Sequence, residues 1–160
     1  MNRVVPRYQR ALLALDGSSV AESIIPFIVD IAGPLDMEVV LLRVVTPAGI
    51  QAGAPLPGVI EQEIAATTAE ARDYLARVAD GLSARGIRVQ IRVRTGAAVQ
   101  EILAAAREYA ADLIVMTTHG RSGLSRLVLG SVAESVLRLA DVPVLTMRFP
   151  AADGTRAGGF

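Results

Sequence analysis

The residues best suited to chemistry lie in one stretch, Met116-Thr117-Thr118-His119-Gly120-Arg121-Ser122-Gly123, which after Leu124 to Leu129 continues as Gly130-Ser131-Val132-Ala133-Glu134. It begins at the end of a short apolar run, Leu113 to Met116, that reads as a buried strand. Gly120 and Gly123 can let the backbone approach a ligand or take a positive φ. Gly130 and Ser131 stand where a helix should begin. Unpaired N–H groups and the helix dipole at such a start favour an anion such as phosphate. The Ser131 hydroxyl adds a donor, and Arg121 and Arg126 can supply charge. Two readings of Ser131 are open, because it also stands three residues before Glu134, the spacing of a capping box. Asp16, in Leu15-Asp16-Gly17-Ser18 after another apolar run, is a second candidate. Its carboxylate can accept from a ligand or form a turn with Gly17.

Composition removes many alternatives. All 16 basic residues of the 160 are Arg, so there is no lysine; Cys and Trp are absent and there is one His. Without Lys there is no Walker-type phosphate lysine and no Schiff base. Without Cys there is no thiol nucleophile, disulfide or cysteine-ligated metal. One His cannot build a multi-histidine metal site, and no nucleophile–base pair stands out. The 16 Arg balance 16 Asp plus Glu, which gives no general attraction to nucleic acid or to an anionic membrane. Arg88, Arg92 and Arg94 form a basic stripe that reads as a solvated edge face, since no aromatic residues interleave it as a nucleic-acid surface would require. No apolar run approaches the roughly 18 residues needed to span a bilayer, and the N-terminus lacks the apolar core of a signal peptide. The expectation is a soluble, cytoplasmic protein.

The elements that must position these residues alternate. Ala11 to Leu15 reads as a strand. Ser19, three residues before Glu22, should cap a helix reaching Ala32, with Pro26 kinking it and Gly33-Pro34 stopping it. Glu38 to Val45 is the second strand, 46–58 a loop, and Val59 to Ala84 a long helix. Ile87 to Arg94 alternates strictly, with the apolar residues on one face and Arg88, Gln90, Arg92 and Arg94 on a solvated one. A helix over Ala97–Ala110, the strand Leu113–Met116, a helix over Val132–Ala140 and a strand over Val142–Arg148 follow. The arrangement is a single domain over 1–160, with its core at about 8–148 and a frayed tail at 149–160. Such alternation implies an α/β fold: an open five-stranded parallel sheet with helices on both faces. The third and fifth strands read as edges, and right-handed crossovers then give the order 3-2-1-4-5. The order reverses between strands one and four, where ligands bind beyond the carboxyl ends of the strands. The fifth segment, Val142-Pro143-Val144-Leu145-Thr146-Met147, carries no charge although it is an edge, which predicts either a homodimer through that strand or cover from the 149–160 tail.

The motif Gly120 to Ser131 resembles the universal stress protein family, whose hallmark is G-x2-G-x9-G-[S/T] after the fourth strand. Gly120 and Gly130 match its second and third glycines, Ser131 fills the last position, and Thr117 replaces the first glycine. Leu15-Asp16-Gly17-Ser18 and Val142-Pro143-Val144-Leu145 also resemble the family, and the resemblance spans roughly residues 8–148. It implies an adenine-nucleotide alpha-hydrolase-like fold with the same strand order. It further implies an ATP site in which Ala14, Leu15 and Asp16 grip adenine and ribose, with the Asp16 carboxylate accepting from ribose hydroxyls. Val44 would contact adenine through its backbone, Met116 and Thr117 would line the ribose and base side, and Gly120, Arg121, Gly130, Ser131 and Val132 would surround the phosphates, through which any Mg2+ is held. The β-branched Thr117 is expected to narrow the cleft or to need a different backbone angle.

The reading is therefore a stress-response protein that binds ATP between strands one and four as a regulatory homodimer. Nucleotide would order the glycine loop and the 46–58 loop and so alter the surface offered to a further protein partner. The alternative is a nucleotide-free dimeric interaction module of the same family, with a slow ATP-hydrolysing enzyme as a third class.

Overall fold

In a computed structural model that describes residues 8–47, 57–118 and 130–148, the fold is a five-stranded sheet with helices on both faces. The strands are β1 (Arg10–Ala14), β2 (Glu38–Val45), β3 (Arg88–Thr95), β4 (Leu113–Thr117) and β5 (Val144–Met147). They are ordered β3-β2-β1-β4-β5 and all pair in parallel. Right-handed crossovers on a sheet twisted in one sense place the helices before β3 on one face and those after it on the other. Helices α1 (Ser19–Glu22), α2 (Ile25–Leu35) and α3 (Pro57–Ser83) bury Ala21, Ile28 and Leu75 against Leu13, Leu41 and Val115. Helices α4 (Ala98–Glu108) and α5 (Ser131–Leu139) bury Ile102, Ala105 and Val136 against Leu12, Val40 and Ile114. The apolar runs of β1, β2 and β4 follow from this, because their side chains meet a helix layer whichever way they point.

The first helical segment departs from the sequence expectation in two places. Its N-cap is Ser18, not Ser19: the Ser18 hydroxyl accepts from the Ala21 amide at 3.1 Å. The segment then breaks at Ser23-Ile24, so that Pro26 falls in the first turn of a new helix, where its missing N–H costs nothing. Gly33-Pro34 does not stop that helix. Both lie inside α2, which ends at Asp36 in the left-handed conformation (φ 51°), with the Met37 amide donating to the Ala32 carbonyl at 2.9 Å. The burial of Ile28 and Ala32 holds the turn that glycine and proline alone would loosen. Helix α3 begins at Pro57, two residues before the expected Val59; residues 48–56, the body of the expected loop, lie outside the described residues, as do 1–7, 119–129 and 149–160.

The Arg face of β3 is not simply solvated. Side chains of helix α4 reach its carboxyl end, where Arg94 pairs with Glu101 and Glu108 of α4, each at 2.6 Å. The Arg92 guanidinium stacks 4.7 Å from the Tyr109 ring centre and donates to the Gln90 side chain. Glu101 and Glu108 are seven residues apart, so they share one helix face and can meet a single arginine. Among the described residues no helix is long and apolar enough to cross a membrane.

At the amino end of the sheet, Glu38 of β2 receives the Arg10 guanidinium at 2.7 Å and the Gln90 side-chain amide. Gln90 and Arg10 hold its carboxyl below the usual glutamate value against the opposing effect of burial. A depressed folded-state value means the pairing stabilises the fold above the unfolded-state pKa and is lost as pH falls through the folded one. Glu38→Gln is therefore expected to cost about 1 kcal/mol at pH 7 for this partly exposed pair. The difference from the parent in urea unfolding should shrink as pH is lowered below about 4.

Candidate functional site

β1 has β2 on one side and β4 on the other, so the chain leaving β1 turns toward one face and the chain leaving β4 toward the opposite face. A cleft of about 310 Å³ opens where they part, at the lower end of the roughly 300–1,000 Å³ usual for ligand pockets. Ala14, Leu15, Asp16, Val44, Met116, Thr117, Gly130, Ser131 and Val132 all line it. Gly120, Gly123, Arg121 and Arg126, also singled out in the sequence, lie outside the described residues, as does His119. Sequence reasoning missed Ala21, Leu42, Ala98, Ile102, Thr118 and Ala133, which complete the lining. The periodicity of α4 carried a signal for Ala98 and Ile102, four residues apart on one helix face. Leu42, Met116 and Ile102 make an apolar floor, while Asp16, Thr117, Thr118 and Ser131 bring polar groups to the walls.

The Asp16 side is built by a turn. The Leu15 amide donates to the Leu42 carbonyl at 2.9 Å, extending the β1–β2 pairing one step past the strand. Asp16 Oδ1 then accepts from the Ser18 amide at 2.9 Å and from the Ser18 hydroxyl at 2.6 Å. The turn role of Asp16 is thus realised, and it fixes the rotation of the carboxylate that lines the cleft. Gly17 sits at φ 83°, where a side chain is strained. A Cβ there would also lie 3.0 Å from Nη1 of Arg43.

The opposite wall is the start of α5. The Gly130 amide donates to the Thr118 carbonyl at 2.8 Å, and the first helical bond runs from the Glu134 amide to the Gly130 carbonyl at 2.9 Å. Gly130 is therefore the N-cap and Ser131 the first helical residue, so the Ser131–Glu134 capping box does not form. The N-cap residue brings no capping side chain to this helix, although Ser, Thr, Asn or Asp would normally do so. The amides of Ser131, Val132 and Ala133 precede the first intrahelical bond and stand at the cleft. Gly130 has φ −58° and ψ 142°, a conformation open to any residue. What the glycine contributes is the absence of a side chain in front of those amides.

Thr117 ends β4 in register with Met147 of β5 and is 7% exposed. It keeps an ordinary strand backbone, since the described non-glycine residues with positive φ are Asp36 and Ala110. The expected change of backbone angle is absent, and the β-branched side chain forms part of the cleft wall instead. Among the described residues no group of three acidic or histidine side chains is placed to hold a metal ion.

The family model described as the universal stress protein family matches residues 7–148 of this chain. Universal stress protein MJ0531 of Methanocaldococcus jannaschii is 33% identical over 143 residues, covering 89% of this chain and 84% of that protein. The solved structure of MJ0577, from the same organism, superposes with a TM-score of 0.80 at 25% identity over 91% of this chain and 99% of that one. A universal stress protein solved in complex with cAMP shares the fold, with a TM-score of 0.66 at 23% identity over 89% of this chain and 98% of the other.

The geometry of the Asp16 turn yields a matched pair of glycine substitutions. Gly17→Ala should destabilise the chain by about 1–2 kcal/mol from backbone strain alone, with displacement of the Arg43 guanidinium adding to it. Gly81→Ala, in α3 with nothing within 4 Å of the new Cβ, should stabilise by about 0.5–1 kcal/mol. Thermal unfolding of the two variants should shift in opposite directions.

Proposed function

Since the chain belongs to the universal stress protein family, we propose that the cleft at the ends of β1 and β4 binds an adenine nucleotide, ATP, and that the bound chain acts as a regulatory homodimer in the cytoplasm. The observation that carries this reading is the start of α5, whose N-cap is a glycine. A helix whose first amides face a cleft, with a glycine where a capping side chain would stand, suits a polyphosphate. The relative solved with cAMP supports a nucleotide as the ligand class.

In this reading the adenine lies on the apolar floor by Val44 and Met116, with Ala14 and Leu15 beside it. Asp16, its rotation held by Ser18, accepts from ribose hydroxyls. Thr117 borders the ribose. Gly130, Ser131 and Val132 hold the phosphates, with Gly120 and Arg121 closing on them and any Mg2+ carried by the phosphates themselves. The reading is of binding coupled to a protein partner rather than catalysis. A nucleotide-free module remains the alternative, and Thr117 in place of a glycine is the residue that favours it.

The dimer rests on β5. It is the last strand of the sheet, and its segment carries no charge. Beside it, α5 exposes Leu137 (41%) and Leu139 (55%), two of the three large apolar side chains exposed among the described residues. A second copy pairing along β5 would satisfy the open strand edge and cover these leucines.

Gly130→Asp separates helix capping from phosphate binding. Aspartate is a good N-cap, so the variant should match or exceed the parent in stability. Its carboxylate would stand before the phosphates and weaken ATP binding by about 2 kcal/mol or more in calorimetry. Equal affinity in the two proteins would move the phosphates elsewhere. For the dimer, Leu145→Arg should give a folded monomer by light scattering; a variant that stays dimeric would place the interface away from β5.

A further inference from the structure

Arg43 is the one charged residue inside the apolar run of β2, and it is 9% exposed. It shares a face with the buried Leu41 and Val39, two and four residues before it, and so points to the side covered by α1, α2 and α3, away from the cleft. Its guanidinium stacks 5.2 Å from the centre of the Tyr74 ring of α3. Its Nη1, Cζ and Nη2 atoms lie 3.0, 3.1 and 3.3 Å from where a Cβ of Gly17 would be. The flat group therefore lies against the backbone of the turn that carries Asp16, where any side chain at position 17 would have to displace it. The Tyr74 hydroxyl beside it is buried, with the Glu22 carboxylate near it. Burial raises its pKa, the Glu22 and Asp16 carboxylates raise it further, and Arg43 opposes them. Arg43, Tyr74, Glu22 and Asp16 thus share one electrostatic neighbourhood under the turn.

A buried cation is costly unless nearby charge and contact compensate it. Here the contact is with the ring face of Tyr74 on one side and the backbone at Gly17 on the other. We infer that Arg43 is a positioning residue: packed beneath Gly17, it sets the turn from which Asp16 faces the cleft. The pairing of β2 with β1 brings it there, since the Leu15 amide bonds to the carbonyl of Leu42, the residue before Arg43. The contact at Gly17 needs a plane, which arginine has and lysine lacks. Only the step from turn geometry to ligand affinity rests on the nucleotide reading of the cleft.

The test is Arg43→Met, which keeps length and apolar volume, with Arg43→Lys as the variant that keeps charge without the plane. Amide hydrogen exchange on the full chain reports the turn directly through the Ser18 amide, which bonds to Asp16. Exchange at Ser18 should accelerate about tenfold or more in Arg43→Met, while β1 amides such as Leu13 keep their protection. If that variant fails to fold, Arg43→Lys carries the same measurement with the same expected direction. Unchanged exchange at Ser18, or a rise spread equally over the sheet, overturns the inference whatever the cleft binds. Calorimetry then tests the consequence. Arg43→Met should lose more affinity for ATP than for 2′-deoxy-ATP, and adding it to Asp16→Ala should cause no further loss. A parent that binds neither nucleotide refutes the reading of the cleft, and the exchange result still decides the role of Arg43.

Discussion

The placement of β1 between β2 and β4 is the constraint on which the rest depends. Its backbone groups are satisfied on both sides, through the pairs Leu13 with Leu41 and Leu13 with Val115. A strand paired on both edges in parallel cannot shift register without breaking both ladders and turning its side chains to the wrong faces. The carboxyl end of β1 is fixed by this, and with it the point where the chain turns back into α1. β4 is fixed against the same strand, so the start of α5 is placed relative to Asp16 by the sheet itself. The cleft is the gap that two divergent connections leave above adjoining parallel strands.

Its two walls are made by different means. On the β1 side the chain is held tightly, with Ser18 bonded to Asp16 and to Ala21 and with Gly17 against Arg43. On the α5 side the N-cap is a glycine, which offers the first helical amides no capping side chain of its own. A rigid carboxylate opposite an open set of amides gives the cleft an acceptor at one end and donors at the other. That polarity suits a ligand with hydroxyls on one part and negative charge on another.

The sheet and its order were legible because burial on both faces forces β1, β2 and β4 to be apolar throughout, while Arg88 to Arg94 and Pro143 mark the edges. Helix ends were less legible. Gly33-Pro34 is a local stop signal, and the packing of Ile28 and Ala32 overrides it by one turn. Ser18 and Ser19 are adjacent candidates for one cap, and only the backbone of Ser18, extended at φ −84° and ψ 153°, selects it. The pairing of the β3 arginines depends on which helix brings carboxylates within their reach, a tertiary fact no local pattern carries, though Glu101 and Glu108 on one face of α4 were a trace of it. The cleft walls at Asp16, Thr117 and Gly130 were readable because the strand order places the carboxyl ends of β1 and β4 at the reversal, where the connections part. Arg43 was passed over because its partners, Gly17 and Tyr74, are remote in sequence.

The central claim is that this cleft takes an adenine nucleotide, one per chain. Native mass spectrometry of the protein equilibrated with ATP tests it most directly, because it weighs the occupied species and counts its chains together. The account predicts a two-chain species carrying two adenine nucleotides. Chains that stay bare in a large excess of ATP would contradict it.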